Sequence, residues 1–179
     1  LQRRGLMQEK KLLTGLFRQH DNAGKAYNAA LKYGYQKDEI NILMSAETKQ
    51  KHSYQRKHPD LSTEGEIVEG AGVGGALGVT TGAITGALMA LGTFVVISGI
   101  GLAVSGPIAV WLSGAAAGGI AGGLVGALIN MGISANHAEH FKKELKGGAI
   151  LIILSPHSEQ DCKNLEMEWN SYDGIVLST

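Results

Sequence analysis

One cysteine, Cys162, stands in the whole chain of 179 residues, so no disulfide can form within it and a secreted, disulfide-stapled fold is excluded. Without a thiol partner, Cys162 reads as a small, partly buried residue. Net charge is missing as well. The 16 Lys and Arg balance the 16 Asp and Glu, so no global field argues for nucleic acid as a partner. Leu1–Lys11 carries basic side chains but lacks an apolar core of the length a signal peptide needs, and Met7 reads as a natural start with Leu1–Leu6 upstream of it. The largest absence is internal: between Glu69 and Glu139 there is no Asp, Glu, Lys or Arg.

Glycine fills that gap at a fixed spacing. Gly70, Gly74, Gly78, Gly82 and Gly86 form one ladder, and Gly114, Gly118, Gly122 and Gly126 form a second. At 3.6 residues per turn an i, i+4 ladder lies as one stripe on a helix face. Each glycine inside a helix costs about 0.8–1 kcal/mol relative to alanine, so the two ladders together forgo roughly 7–9 kcal/mol of local helix stability. Such a cost points to close approach of another backbone, as in small-xxx-small helix packing. Bulkier stripes lie opposite: Val73, Leu77, Ile84, Leu88 and Leu91 on the first arm, and Ile120, Leu124 and Leu128 on the second.

The flanking segments hold every charge and read as two β-α-β halves. Lys11–Phe17 has strand character, and His20-Asp21-Asn22 supplies a turn and helix cap. Ala26, Ala29, Ala30 and Tyr33 recur at helical spacing until Gly34 ends the helix, and Glu39–Met44 resumes a strand. A polar connector, Ser45–Asp60, follows. In the last segment, Ala135–Lys146 is a helix closed by Gly147-Gly148, and Ala149–Leu154 is continuously apolar, as a strand buried on both faces would be. Pro156 breaks that run, Ser158–Asn170 forms an amphipathic helix, and Ile175–Leu177 makes a final strand. This order predicts an α+β fold: a ferredoxin-like split β-α-β domain with an inserted glycine-rich α-helical hairpin. Residues 1–62 form its first half and linker, 63–134 the hairpin, and 135–179 the exit helix and second half.

Ile67–Thr93 and Pro107–Ile133 each exceed the roughly 20 residues that cross a bilayer core. All Lys and Arg lie outside the insert, so the positive-inside rule would put both termini on the cytoplasmic side of a membrane, with Trp111 as an interface anchor. The tip, Phe94–Gly106, is itself apolar, whereas a loop in water is expected to be polar. Three readings stay open: a two-span membrane hairpin, a re-entrant hairpin, and a cytoplasmic oligomer that buries its hairpins together.

Other motifs are decoys. Gly70-Ala-Gly72-Val-Gly-Gly75 satisfies G-x-G-x-x-G, but a polar lead-in precedes it and no acid follows until Glu139. His137, Glu139, His140 and Glu144 have metal-like spacing, yet no Cys or second His pair completes a site, and a solvated helix exit accounts for them better. The basic stretch with Lys51, His52, Arg56, Lys57 and His58 reads as a solvated connector before an acidic-lipid contact. No Ser-His-Asp spacing, phosphate loop or paired carboxylates stand out, so no catalytic, cofactor or metal residues are expected, and no small-molecule ligand is identifiable.

With both halves in view, the chain resembles the bacterial general stress protein family of the heat-induced YflT type. The matching residues are Leu13-Thr14-Gly15-Leu16-Phe17 with His20-Asp21-Asn22-Ala23, then Tyr33-Gly34-Tyr35 with Asp38-Glu39-Ile40-Asn41-Ile42-Leu43. Ser98-Gly99-Ile100-Gly101-Leu102 before Gly106-Pro107 resembles the family's tip, with Ser98 where proline is common, and Gly132-Ile133, Ala138-Glu139-His140-Phe141 and Gly147-Gly148 resemble its exit helix and third strand. The resemblance implies a bacterial, stress-associated protein and carries over no catalytic residue. The expectation is a non-enzymatic homo-oligomer that assembles through Gly70, Gly74, Gly78, Gly82, Gly86, Gly114, Gly118, Gly122 and Gly126, embedded in a lipid bilayer. A pore formed by several hairpins is the alternative, although no charged stripe lines one. A sensor using an open sheet face is a third reading.

Overall fold

The computed structural model describes residues 11–50, 94–97, 101–109, 112 and 123–179. Six strands form one antiparallel sheet: β1 (Leu13–Phe17), β2 (Asn41–Ser45), β3 (Val95–Ile97), β4 (Leu102–Ser105), β5 (Ile150–Leu154) and β6 (Ile175–Ser178), in the order β3-β4-β2-β5-β1-β6. Helices α1 (His20–Lys32), α2 (Gly123–Asn130), α3 (Ala135–Lys146) and α4 (Glu159–Ser171) flank it. The fold is therefore mixed α and β, with β-α-β order at both ends of the chain.

The unbroken apolar run of β5 has a direct cause, because this strand sits between β1 and β2 and is buried on both faces. Ile150, Ile152 and Leu154 join a core with Ala23, Ala26, Tyr27, Ala29 and Ala30 of α1 and with Leu165 and Trp169 of α4. Leu151 and Ile153 face the other side, where Leu124 and Leu128 of α2 and Ala138, Phe141 and Leu145 of α3 pack. The alternation of one strand thus sorts the molecule into three layers. Burying one such side chain fully is worth about 1.5–3 kcal/mol. On β1, Gly15 makes room for Trp169: a Cβ there would lie 2.6 Å from the ring's Cε3. Trp169 is held in turn by its Nε1, which donates to Ala26 O at 3.0 Å.

Several expectations are corrected. α1 begins at His20, with extended Gln19 at the cap position and no side-chain cap bond, so Asn22 is buried within the first turn instead of capping it. Phe94–Gly106 is not the tip of a helical hairpin: β3 and β4 lie there, and β4 pairs with β2 from Ile42↔Ser105 to Ser45↔Leu102. The apolar character of this stretch serves the sheet, since Ile97, Leu102 and Val104 enter the core shared with α2 and α3. Val95, Val96, Ile97 and Val104 are β-branched, which suits them to a pleated surface. Val95–Ile97 and Leu102–Ser105, inside the stretch assigned to the insert, therefore belong to the sheet. Pro107–Ile133 is not one continuous helix either. Gly123 has φ +41°, α2 stops at Asn130, and Gly132 has φ +94°. Nor is a sheet face open for a sensor, because α2 and α3 cover the one that α1 and α4 leave. Among the described residues no helix is long and apolar enough to cross a membrane.

Candidate functional site

A concavity opens at one end of the sheet, over the side covered by α2 and α3. Its volume is about 860 Å³. Leu12, Pro107, Ile108 and Met131 supply its apolar wall, and Lys11, Asp38, Glu39, His157 and Glu159 supply its charged rim.

Asn41 anchors the floor. Its Oδ1 accepts from Ile108 N at 2.8 Å and its Nδ2 donates to Ile153 O at 3.1 Å, so one side chain ties β2 to β5 and to the turn that follows β4. That turn needs Gly106, which adopts φ +95° and where a Cβ would come 2.7 Å from Ile40 O. Only glycine combines that conformation with that approach at low cost.

The rim is held by one ion pair and one histidine–carboxylate hydrogen bond. Lys11 Nζ lies 2.7 Å from Glu159 Oε1, and His157 Nε2 lies 2.9 Å from Glu39 Oε1. Glu39 Oε2 also accepts from Gln36 N at 2.7 Å. The Gln36 amide first, and His157 beside it, hold the Glu39 carboxyl below the usual carboxylate range. Lys11 does the same for Glu159, first by its hydrogen bond and then by its charge. Tyr35 stacks on His157 with ring centroids 4.2 Å apart, and its hydroxyl accepts from His157 N at 2.9 Å. Burial pushes the Tyr35 phenol up. These contacts latch the loop after α1 to the loop before α4.

Of the glycines expected to pack helices, Gly126 lies in α2, where a Cβ would meet nothing within 4 Å. Gly70, Gly74, Gly78, Gly82, Gly86, Gly114, Gly118 and Gly122 lie outside the described residues, as do the G-x-G-x-x-G motif and the basic connector with His52 and His58. The histidines of α3 and their acidic neighbours do not converge. His137 Nδ1 bonds Ser134 Oγ at 2.7 Å, Glu139 lies 3.8 Å from Lys142, and Glu144 pairs with Arg18 at 2.8 Å. Among the described residues no group of three or more His, Cys, Asp or Glu is placed to hold a metal. Cys162 is buried in the α1 and α4 core, and burial raises its thiol pKa.

Sequence reasoning placed Glu39 and Asn41 in one strand, Glu39–Met44, and named Asp38 only in the family resemblance, whereas β2 begins at Asn41. Their signal was the polar pair directly before a buried strand, with Asn41 as a polar residue at a core-facing position. Comparison of the chain with protein families, with curated proteins and with solved structures finds no match.

Proposed function

We propose that this chain is a non-enzymatic, self-associating protein of the bacterial general stress family it resembles, built on a ferredoxin-like domain. Support for the domain comes from the strand order. The strands β6-β1-β5-β2 stand fourth, first, third and second within their own set, with α1 and α4 packed on a common face. β4 and β3 extend that arrangement at the β2 edge.

The observation that carries self-association is the direction in which α2 turns its glycine. Leu124 and Leu128 are buried against the sheet. Gly126 stands two residues from each, roughly 200° around the helix, on the side facing away. It has no unusual backbone angle and no close neighbour among the described residues, so they give no reason for the cost of a glycine there. A partner backbone pressed against that face supplies one, and Ile129, 44% exposed, flanks it. The partner that fits is the same face of a second copy.

A bilayer-embedded form at the bacterial inner membrane, with cytoplasmic termini, is the second reading, favoured by the charge-free residues 70–93. Its second arm is short. Ile108, Ala109 and Leu112 on one side and Leu124, Leu128 and Ile133 on the other are buried in the core, which leaves residues 113–122 between them, well under the roughly 20 that a helical span needs.

Cysteine cross-linking tests the assembly. With Cys162→Ser as background, Ile129→Cys is expected to yield a covalent dimer under mild oxidation; persistence of the monomer contradicts self-pairing of α2. Retention in the pellet after a carbonate wash would favour the bilayer reading, and protein-dependent liposome flux would favour a pore.

A further inference from the structure

We propose that the cleft at the end of the sheet binds a small organic cation with a hydrocarbon body, such as an alkylammonium compound. The inference is independent of self-association. A cleft of about 860 Å³ falls in the range of small-ligand sites.

Its lining selects the charge. Asp38, Glu39 and Glu159 bring three carboxylates, which Lys11 and His157 answer in part. Lys11 is committed to Glu159, and His157 to Glu39, whose second oxygen is taken by Gln36 N. Asp38 is the carboxylate left over: among the described residues it has no ion pair or hydrogen bond. The C-terminal end of α2 also reaches the cleft through Asn130 and Met131, and that helix has no basic residue in its last turn. Its last-turn carbonyls are already bonded, however, because Met131 N, Ile133 N and Gly132 N donate to Ala127 O, Leu128 O and Ile129 O in turn. The opposite field, from the N-terminus of α4, is likewise answered by the Ser158 side chain, which accepts from Asp161 N, and by Glu159 and Asp161 in the first turn. The unanswered carboxylate, Asp38, therefore decides the charge, and it favours a cation.

The wall selects the rest of the ligand. Pro107 is exposed and Met131 is half-buried, so a hydrocarbon chain lying along them would gain contact that a hydrated metal ion could not. An anion would meet Asp38. A neutral alkyl compound would leave Asp38 unanswered.

Ligand-observed NMR titration of the full chain tests this with hexylammonium, hexanoate and hexanol. Hexylammonium is expected to bind saturably and hexanoate not at all, with hexanol weaker than the ammonium. Asp38→Asn, a change at an exposed position, should weaken hexylammonium binding about three- to fivefold. Met131→Lys, which brings its own ammonium into the cleft, should abolish it. Equal binding of hexanoate, unchanged affinity in Asp38→Asn, or no saturable binding of hexylammonium would each overturn the proposal.

Discussion

Thr14 is buried at the centre of the sheet on the side of α2 and α3, between Ile153 of β5 and Leu177 of β6. Among the described residues its Oγ1 is the one buried side-chain oxygen or nitrogen without a hydrogen-bond partner. An unmade bond to a buried hydroxyl costs about 1–3 kcal/mol. Thr14→Val keeps the shape and removes the polar atom, so it should raise stability by about 1 kcal/mol in urea unfolding, whereas a loss of stability would show that the hydroxyl is satisfied. Acid acts on other residues. Arg18 holds the Glu144 carboxyl below its usual range, as Lys11 does for Glu159 and the Gln36 amide for Glu39. Each then binds fewer protons folded than unfolded, so its contribution is present above the unfolded pKa of about 4.3 and is lost as pH falls through the lower folded value. The urea midpoint should drop between about pH 6 and pH 3, and less so when Glu39, Glu144 and Glu159 are all Gln. An equal drop in that variant would assign acid sensitivity to other groups. The Lys11 and Arg18 pairs are visible in the sequence only as scattered charges, because their partners lie 148 and 126 residues along the chain.

Elements differ in how much they announced themselves. β1, β2 and β5 stand out as short apolar runs between turn residues, and the Gly34 end of α1 is legible from its left-handed requirement, met at φ +89°. β3 and β4 were misread because a continuous apolar stretch carries no period that separates strand from helix. Their neighbours decide the matter: β2 offers an edge, and β4 takes it. The role of Asn41 was hidden for the same reason, since it depends on the turn after β4 returning to β2. Asn41→Ala should leave Ile108 N without its acceptor and cost about 1–3 kcal/mol. Hydrogen exchange at Ile108 should quicken more than at Ile152 in β5, and uniform quickening would mean that Asn41 stabilises the sheet as a whole instead of this junction.

At the scale of the molecule, the three-layer arrangement explains why charge vanishes for so long a stretch. Part of the charge-free region is core of the sheet domain, namely β3, β4 and α2. Gly126 is a separate matter, because α2 buries Leu124 and Leu128 while a Cβ at half-buried Gly126 would meet no described residue within 4 Å. The sequence pattern of small against large faces was legible; which face met the domain was not, since periodicity separates two sides without naming either. Sedimentation equilibrium in detergent-free buffer, comparing the native chain with Gly126→Leu, tests the central claim most directly. Among the described residues nothing within 4 Å obstructs a side chain at Gly126, and leaving glycine should favour the helix by about 0.8–1 kcal/mol, so the variant should fold as well as the parent. The account predicts an oligomer for the native chain and a folded monomer for Gly126→Leu; the same mass for both would contradict it.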